Sequence, residues 1–199
     1  MRVRTETRRQ AILRAATEVF REAGFERASM SMIAARVGGS KATLYGYFAS
    51  KEELFAATMI EAIRSQGIVT IDLLDPAEPD FMLVLERFGQ AYVRLISSRE
   101  SLANSRAAIG QATHDKLGNA FYAQGPKRIL EAIAAYMTHL AERGAIQAGD
   151  PRLAAIHFHA LLDAGTLLPL LMGARPELKP KEAAKSALDA FLRAYAAPL

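Results

Sequence analysis

Apolar side chains recur along this chain at every third or fourth position, and no run of alternating β-branched residues interrupts them, so the pattern predicts helices throughout and no sheet. The first predicted helix spans 8–23. Ile12, Leu13, Ala16, Val19 and Phe20 form its inward stripe, Thr7 and Gln10 have the spacing of a capping box, and Gly24 offers a left-handed stop. Three short-range breaks follow. Ser29 is placed to cap a helix that turns Met30, Ile33, Ala34 and Val37 inward, Gly38 and Gly39 break it, and Ser40 caps a third helix ending near Phe48. Ser50 with Glu53 then opens a fourth, over 51–66.

Beyond Gly67, Pro76 and Pro79 mark a connection, and 81–97 regains helical spacing at Leu85, Phe88, Tyr92 and Ile96. A sixth helix is predicted over 102–112, and 114–124 reads as a short helix before a break. Gly125-Pro126 starts a seventh, with Ile129, Leu130, Ile133, Met137 and Leu140 on one stripe and Gly144 as its stop. Asp150-Pro151 opens an eighth, apolar almost all round over 153–172, which predicts burial on both sides in a core or at a subunit interface. Pro180 starts a ninth, with Ala184, Leu188, Phe191, Leu192 and Tyr195 on a wide apolar face.

Composition narrows the class. Of 199 residues 51% are hydrophobic and 23% charged, and no stretch of 18 uninterrupted apolar residues occurs, which predicts a soluble globular protein without a membrane span. The basic N-terminus leads into an amphipathic segment rather than a short apolar block, so a cytoplasmic location is expected. With no cysteine, the chain has no disulfide framework, thiolate nucleophile or thiol metal site. Charge is unevenly spread: residues 1–51 hold ten Lys or Arg against four Glu, a net +6, and the remainder is −2. A basic quarter on a near-neutral body suggests that one end faces a polyanion.

The segment from Gly24 to Lys51 concentrates the candidate chemistry. Two short helices joined by a glycine turn are the layout of a helix-turn-helix, whose second helix enters the major groove of DNA. At about 100° per residue, Leu44 and Phe48 share the inner side of the third helix with Ile33 and Val37, and Ala42 and Gly46 fall opposite. Small residues there let the backbone approach another surface closely, and Lys41 with Tyr45, and Thr43 with Tyr47, flank them. Ser40 lies at the positive end of this helix; Lys41 suits guanine O6 or N7, and the Ala42 methyl suits a thymine methyl. Thr43, Tyr47, Lys51 and, across the groove, Ser29 are placed to hold phosphates, contacts that position a protein without reading sequence. Arg2 and Arg4 read equally as a minor-groove arm or as a loose basic tail.

In this register the segment resembles the DNA-binding domain of the TetR family. The resemblance rests on Gly24-Phe25, Ser29 with Ile33-Ala34, Gly38-Gly39-Ser40, Thr43-Leu44-Tyr45, Tyr47-Phe48 and Ser50-Lys51-Glu52, and covers about residues 8 to 60. The chain departs from the pattern at Gly39, where the family usually has an apolar residue, and at Gly46, which replaces a side chain that commonly reaches the groove. The resemblance implies an all-α chain: a three-helix DNA-binding domain over 1–50, its helix-turn-helix at 29–48, and a helical ligand-binding and dimerisation domain over 51–199. It implies a homodimer on a palindromic double-stranded operator with half-sites about 34–36 Å apart or a multiple. Induction is then a change in head separation passed through the fourth helix, driven by a small apolar or aromatic effector.

The segments 121–126, 141–146 and 149–155 resemble the AefR-like subgroup of C-terminal domains. Phe88, Tyr92, His114, Phe121, Tyr122 and Tyr136 are the candidate pocket residues, each also readable as core. Leu161, Leu162, Leu168, Leu188, Phe191 and Leu192 are the candidate dimer contacts. No cofactor, metal or catalytic residue is expected. His157 and His159 lie about 200° apart around a helix and cannot share a metal. His114-Asp115 is suggestive of an acid–base pair, but no nucleophile elbow, His-Glu-x-x-His helix or phosphate loop accompanies it. A ligand-free architectural DNA binder is a further alternative, disfavoured because three helices alone suffice to bind DNA.

Overall fold

The computed structural model describes residues 5–111 and 117–196. Over the described residues the chain forms eleven helices and no strand: α1 (Glu6–Arg27), α2 (Met30–Val37), α3 (Lys41–Tyr45), α4 (Lys51–Ile71), α5 (Phe81–Ile96), α6 (Arg99–Gln111), α7 (Leu117–Gln124), α8 (Pro126–Glu142), α9 (Pro151–Asp163), α10 (Leu167–Leu171) and α11 (Pro180–Tyr195). One isolated bridge pairs Ile146 with Ala196, and the Gln147 N–H donates to the Tyr195 carbonyl, pinning the end of α11 to the loop after α8.

Several boundaries differ from expectation for local reasons. Thr5 rather than Thr7 caps α1, its hydroxyl accepting from the Arg8 N–H at 3.3 Å, while Gln10 binds Glu6 along the helix. Gly24 kinks α1 instead of ending it, and one more turn follows to Arg27. Helix α4 runs through Gly67, which is buried, as far as Ile71. It is the one described helix whose length and apolar content reach those of a membrane span; it carries Glu61 and Arg64 and buries Leu54, Thr58, Met59 and Thr70. The predicted eighth helix is two, broken at Gly165. There φ is +70°, the Glu177 N–H takes the Gly165 carbonyl, and buried Thr166 turns its hydroxyl back to Leu162 and Asp163.

The chain divides into two compact units, Met1–Ala62 and Ile63–Leu199, the division falling inside α4. The first has a small core of Ile12, Leu13, Ala16, Val19, Ile33, Leu44, Phe48 and Leu54. Phe20, Phe25 and Phe55 close it with ring centroids 4.9–6.0 Å apart. The second is built on α5, α8, α9 and α11, where Phe88, Phe158 and Phe191 are fully buried, each worth roughly 1.5–3 kcal/mol by removal from water.

Candidate nucleic-acid interface and internal cavity

The helix-turn-helix of the first unit is shaped by short-range caps. The Ser29 hydroxyl accepts from the Met32 N–H, and Gly38 closes α2 in the left-handed conformation. The Ser40 hydroxyl accepts from the Thr43 N–H at 3.1 Å and lies 3.0 Å from the Thr43 hydroxyl. Helix α3 thus holds only five residues, with a further turn at Gly46 and Tyr47 tied to Ala42, Thr43 and Leu44. Leu44 and Phe48 face the core, whereas Lys41 and Ala42 are exposed, Tyr45 is 52% exposed and Gly46 half-buried. The outward side of α3 therefore stands open, with Lys41 and Tyr45 beside a backbone that Ala42 barely covers.

Two of the expected phosphate holders have partners far along the chain. The Lys51 ammonium donates to the carbonyls of Phe25 (2.9 Å) and Ala28 (3.3 Å) and sits 4.2 Å from the Phe25 ring centroid. Here it ties the end of α1 to the start of α4. The Tyr47 hydroxyl accepts from the Thr5 N–H at 3.2 Å, which leaves its own proton to donate. Ser50 and Glu53 form a box as expected, except that the Glu53 carboxylate takes the Ala49 N–H. Sequence reasoning did not single out Arg36, which grips Glu22 through two bonds and Glu18 through a third, fastening α2 to α1. The hydrogen bond from Arg36 holds the Glu22 carboxyl below its usual range, and the same contacts raise the guanidinium further.

The second unit holds a cavity of about 70 Å³. Tyr92 and Phe121, expected at a pocket, line it. Phe88 does not: it is core, stacked between Tyr92 and Phe158. Tyr136 is buried away from the lining and Tyr122 is 53% exposed; His114 lies outside the described residues. The lining that pattern reading missed comes from α4 (Ile63, Gln66), α6 (Ser101, Ser105) and the start of α8 (Pro126, Ile129). Ser101 donates to the Gln66 side-chain oxygen, and the Gln66 amide reaches Glu100, so one wall is polar.

Behind buried Tyr92 lies a polar ring completed by half-buried His159 and Asp163. Its hydroxyl is 2.9 Å from His159 Nε2 and donates to Asp163 Oδ1 at 2.9 Å, while His159 Nδ1 stands 3.6 Å from Asp163 Oδ2. Burial pushes the Tyr92 phenol well up and the Asp163 carboxyl up, and pushes the His159 imidazole down against the pull of Asp163. His157, two residues earlier, bonds the Tyr195 hydroxyl, so the two histidines serve different neighbours.

The expected dimer residues divide. Leu162, Leu188 and Phe191 fill the unit's own core and are corrected as surface contacts; Leu161 and Leu192 are half-buried against it. Leu168 is 69% exposed, and Leu153, Ile156 and Met172 are exposed as well. The outer face of α11 is charged, with Glu182, Lys185, Asp189 and Arg193 in helical register.

Comparison with known proteins gives two family matches. Residues 12–58 match the tetR family of bacterial regulatory proteins, and residues 83–197 match the C-terminal domain of AefR-like transcriptional repressors. The HTH-type transcriptional activator FasR of Mycolicibacterium smegmatis is 45% identical over 117 residues, 54% of this chain and 53% of that protein. The HTH-type transcriptional regulator UidR of Escherichia coli is 32% identical over 117 residues, 54% of this chain and 59% of that protein. The chain thus spans little more than half the length of these relatives. Among solved structures, a TetR-family transcriptional regulator of Mesorhizobium loti is similar at 26% identity and TM-score 0.84, covering 98% of this chain and 100% of that one. The flavonoid-responsive regulator FrrA is similar at 26% identity and TM-score 0.72, covering 96% and 98%.

Proposed function

The chain belongs to the TetR family of bacterial regulatory proteins and is a transcriptional regulator with a DNA-binding domain, and from that premise we propose that it acts as a homodimeric repressor on a palindromic operator and lets go when a small apolar or aromatic molecule fills the cavity of its second unit. The observation that carries the DNA side is the open outer face of α3, with Lys41, Ala42 and Tyr45 exposed around a helix anchored by Leu44. Lys41 and Ala42 read base edges; Ser29, Ser40, Thr43 and the free proton of Tyr47 hold backbone phosphates. Residues 1–50 supply this reading head and 51–199 the response.

A second copy covers the exposed apolar side chains Leu153, Ile156, Leu168 and Met172. The charges on α11 favour a twofold: with two such helices antiparallel, Glu182 meets the second copy's Arg193 and Lys185 its Asp189. The cavity of about 70 Å³ is small against the roughly 300–1,000 Å³ of ordinary ligand sites, so the effector enters by spreading its walls. That spreading is the conformational change, and a coupling of about 1–3 kcal/mol suffices to weaken operator binding five- to 150-fold. An aromatic effector accords with the flavonoid response of FrrA.

The test is selection of duplexes from random-sequence DNA by the purified protein, then binding to the selected duplex across salt and with flavonoids and other aromatic compounds, with the mass in solution read by light scattering. Specific, salt-sensitive binding by a dimer, relieved by one compound, is expected. Binding indifferent to sequence favours an architectural DNA binder. Reporter expression that falls when the gene is deleted makes it an activator, like the Mycolicibacterium relative.

A further inference from the structure

We propose that Arg8 is a positioning residue for DNA recognition: its guanidinium occupies the place of the side chain absent at Gly39 and braces the turn from which α3 hangs. Arg8 lies in the first turns of α1, thirty residues from that turn, and its Nη2 donates to the Gly38 carbonyl at 3.2 Å. A Cβ added at Gly39 would lie 2.8 Å from the same nitrogen and 3.6 Å from Val37 Cγ1, so arginine and side chain compete for one space.

The turn needs such a brace. Gly38 is left-handed at φ 66° and ψ 52°, and a second glycine directly after it leaves the connection with the backbone freedom of two residues that lack a Cβ. Helix α3 is five residues long with Leu44 as its buried anchor, so its angle to α2 follows the turn. Fixing the Gly38 carbonyl to α1, a helix of 22 residues, transfers the rigidity of the core to the reading face. The inference rests on the assignment of that face to DNA. It differs from a phosphate contact, in which the arginine acts by charge alone.

The test uses the full chain, a duplex it selects from random-sequence DNA, and three variants: Arg8→Ala, Gly39→Val and both together. Gly39→Val keeps every charge but takes the guanidinium's space. Each single variant is expected to lower the preference for the selected duplex over one scrambled in its half-sites by on the order of fivefold, the worth of one hydrogen bond. Gly39→Val should leave the slope of log affinity against log salt unchanged, and the double variant should be no worse than Arg8→Ala. Independent losses that add, or a salt slope reduced by about one in Arg8→Ala with Gly39→Val behaving as wild type, would overturn the brace in favour of a phosphate contact. If the wild-type chain selects no duplex, the DNA assignment fails by itself. Thermal unfolding then still decides the brace, because the double variant should melt no lower than Arg8→Ala.

Discussion

In the first compact unit the caps that start the short helices span three residues, Ser29 to Met32, Ser40 to Thr43 and Ser50 to Glu53, with longer ties from Arg8, Arg36, Tyr47 and Lys51 between them, whereas in the second Tyr92 meets His159 and Asp163 across 67 and 71 residues of chain. The head presents polar groups outward on short helices that cap themselves and are tied to one another by a few longer contacts. The body hides its polar groups, and only the finished packing of α5 on α9 brings them together. Perturbing a head residue should therefore move DNA binding with local damage, while perturbing the body's ring should move stability and its pH dependence.

The hardest blow to this contrast is in the small core. Leu44→Ala removes the one buried side chain of α3 and should cost about 2–5 kcal/mol, with DNA binding lost. Amide exchange should quicken across residues 5–62 and keep its protection in α8 and α9; loss throughout would show that the two units do not differ as argued. Lys51→Met comes next. It strips two carbonyls of their donor and should cost about 1–3 kcal/mol in thermal or urea unfolding, with the salt slope of DNA binding unchanged. A slope reduced by about one with stability intact would return Lys51 to the phosphates. Ser40→Ala removes a cap from a five-residue helix and should cost about 1 kcal/mol. Its effect on operator affinity should exceed that on the melting temperature.

The same division explains what was legible in the sequence. The caps at Ser29, Ser40 and Ser50, the left-handed Gly38, and the proline starts of α8, α9 and α11 all obey rules spanning a few residues, and they stood in the pattern. Contacts that cross the chain did not: neither Lys51 on the Phe25 carbonyl nor Arg36 between Glu18 and Glu22 follows from spacing. Three of the dimer candidates lie in the core for a related reason. A helix apolar on two sides does not say which side is its own core, and Leu162, Leu188 and Phe191 took that side while Leu153 and Ile156 were left open. Of the cavity, the aromatics Tyr92 and Phe121 were legible, whereas its polar wall is Gln66, Ser101 and Ser105, common residues made distinctive only by meeting.

The smallest expected effect, and the one of opposite sign, comes from counting protons in the buried ring. Tyr92, neutral His159 and ionised Asp163 bring two protons to three edges, so one edge must set acceptor against acceptor. The geometry identifies it: both edges to the Tyr92 hydroxyl are 2.9 Å, and the His159–Asp163 edge is 3.6 Å. Asp163→Asn keeps an oxygen for Tyr92 and offers an amide N–H to His159 Nδ1, closing the ring and removing a buried charge. It should raise stability at pH 7 by about 0.5–1.5 kcal/mol, the net worth of one hydrogen bond. The pH dependence fixes the sign. Burial raises the Asp163 carboxyl above 3.8, so its contribution in the wild type is fully present below 3.8 and is lost as pH rises through the folded value. The advantage of asparagine is therefore greatest near neutrality and shrinks as the carboxyl regains its proton. Melting temperatures of the two proteins should converge from pH 7 to pH 4; a variant less stable at every pH would mean that the ring is held by the Asp163 charge rather than short of a proton.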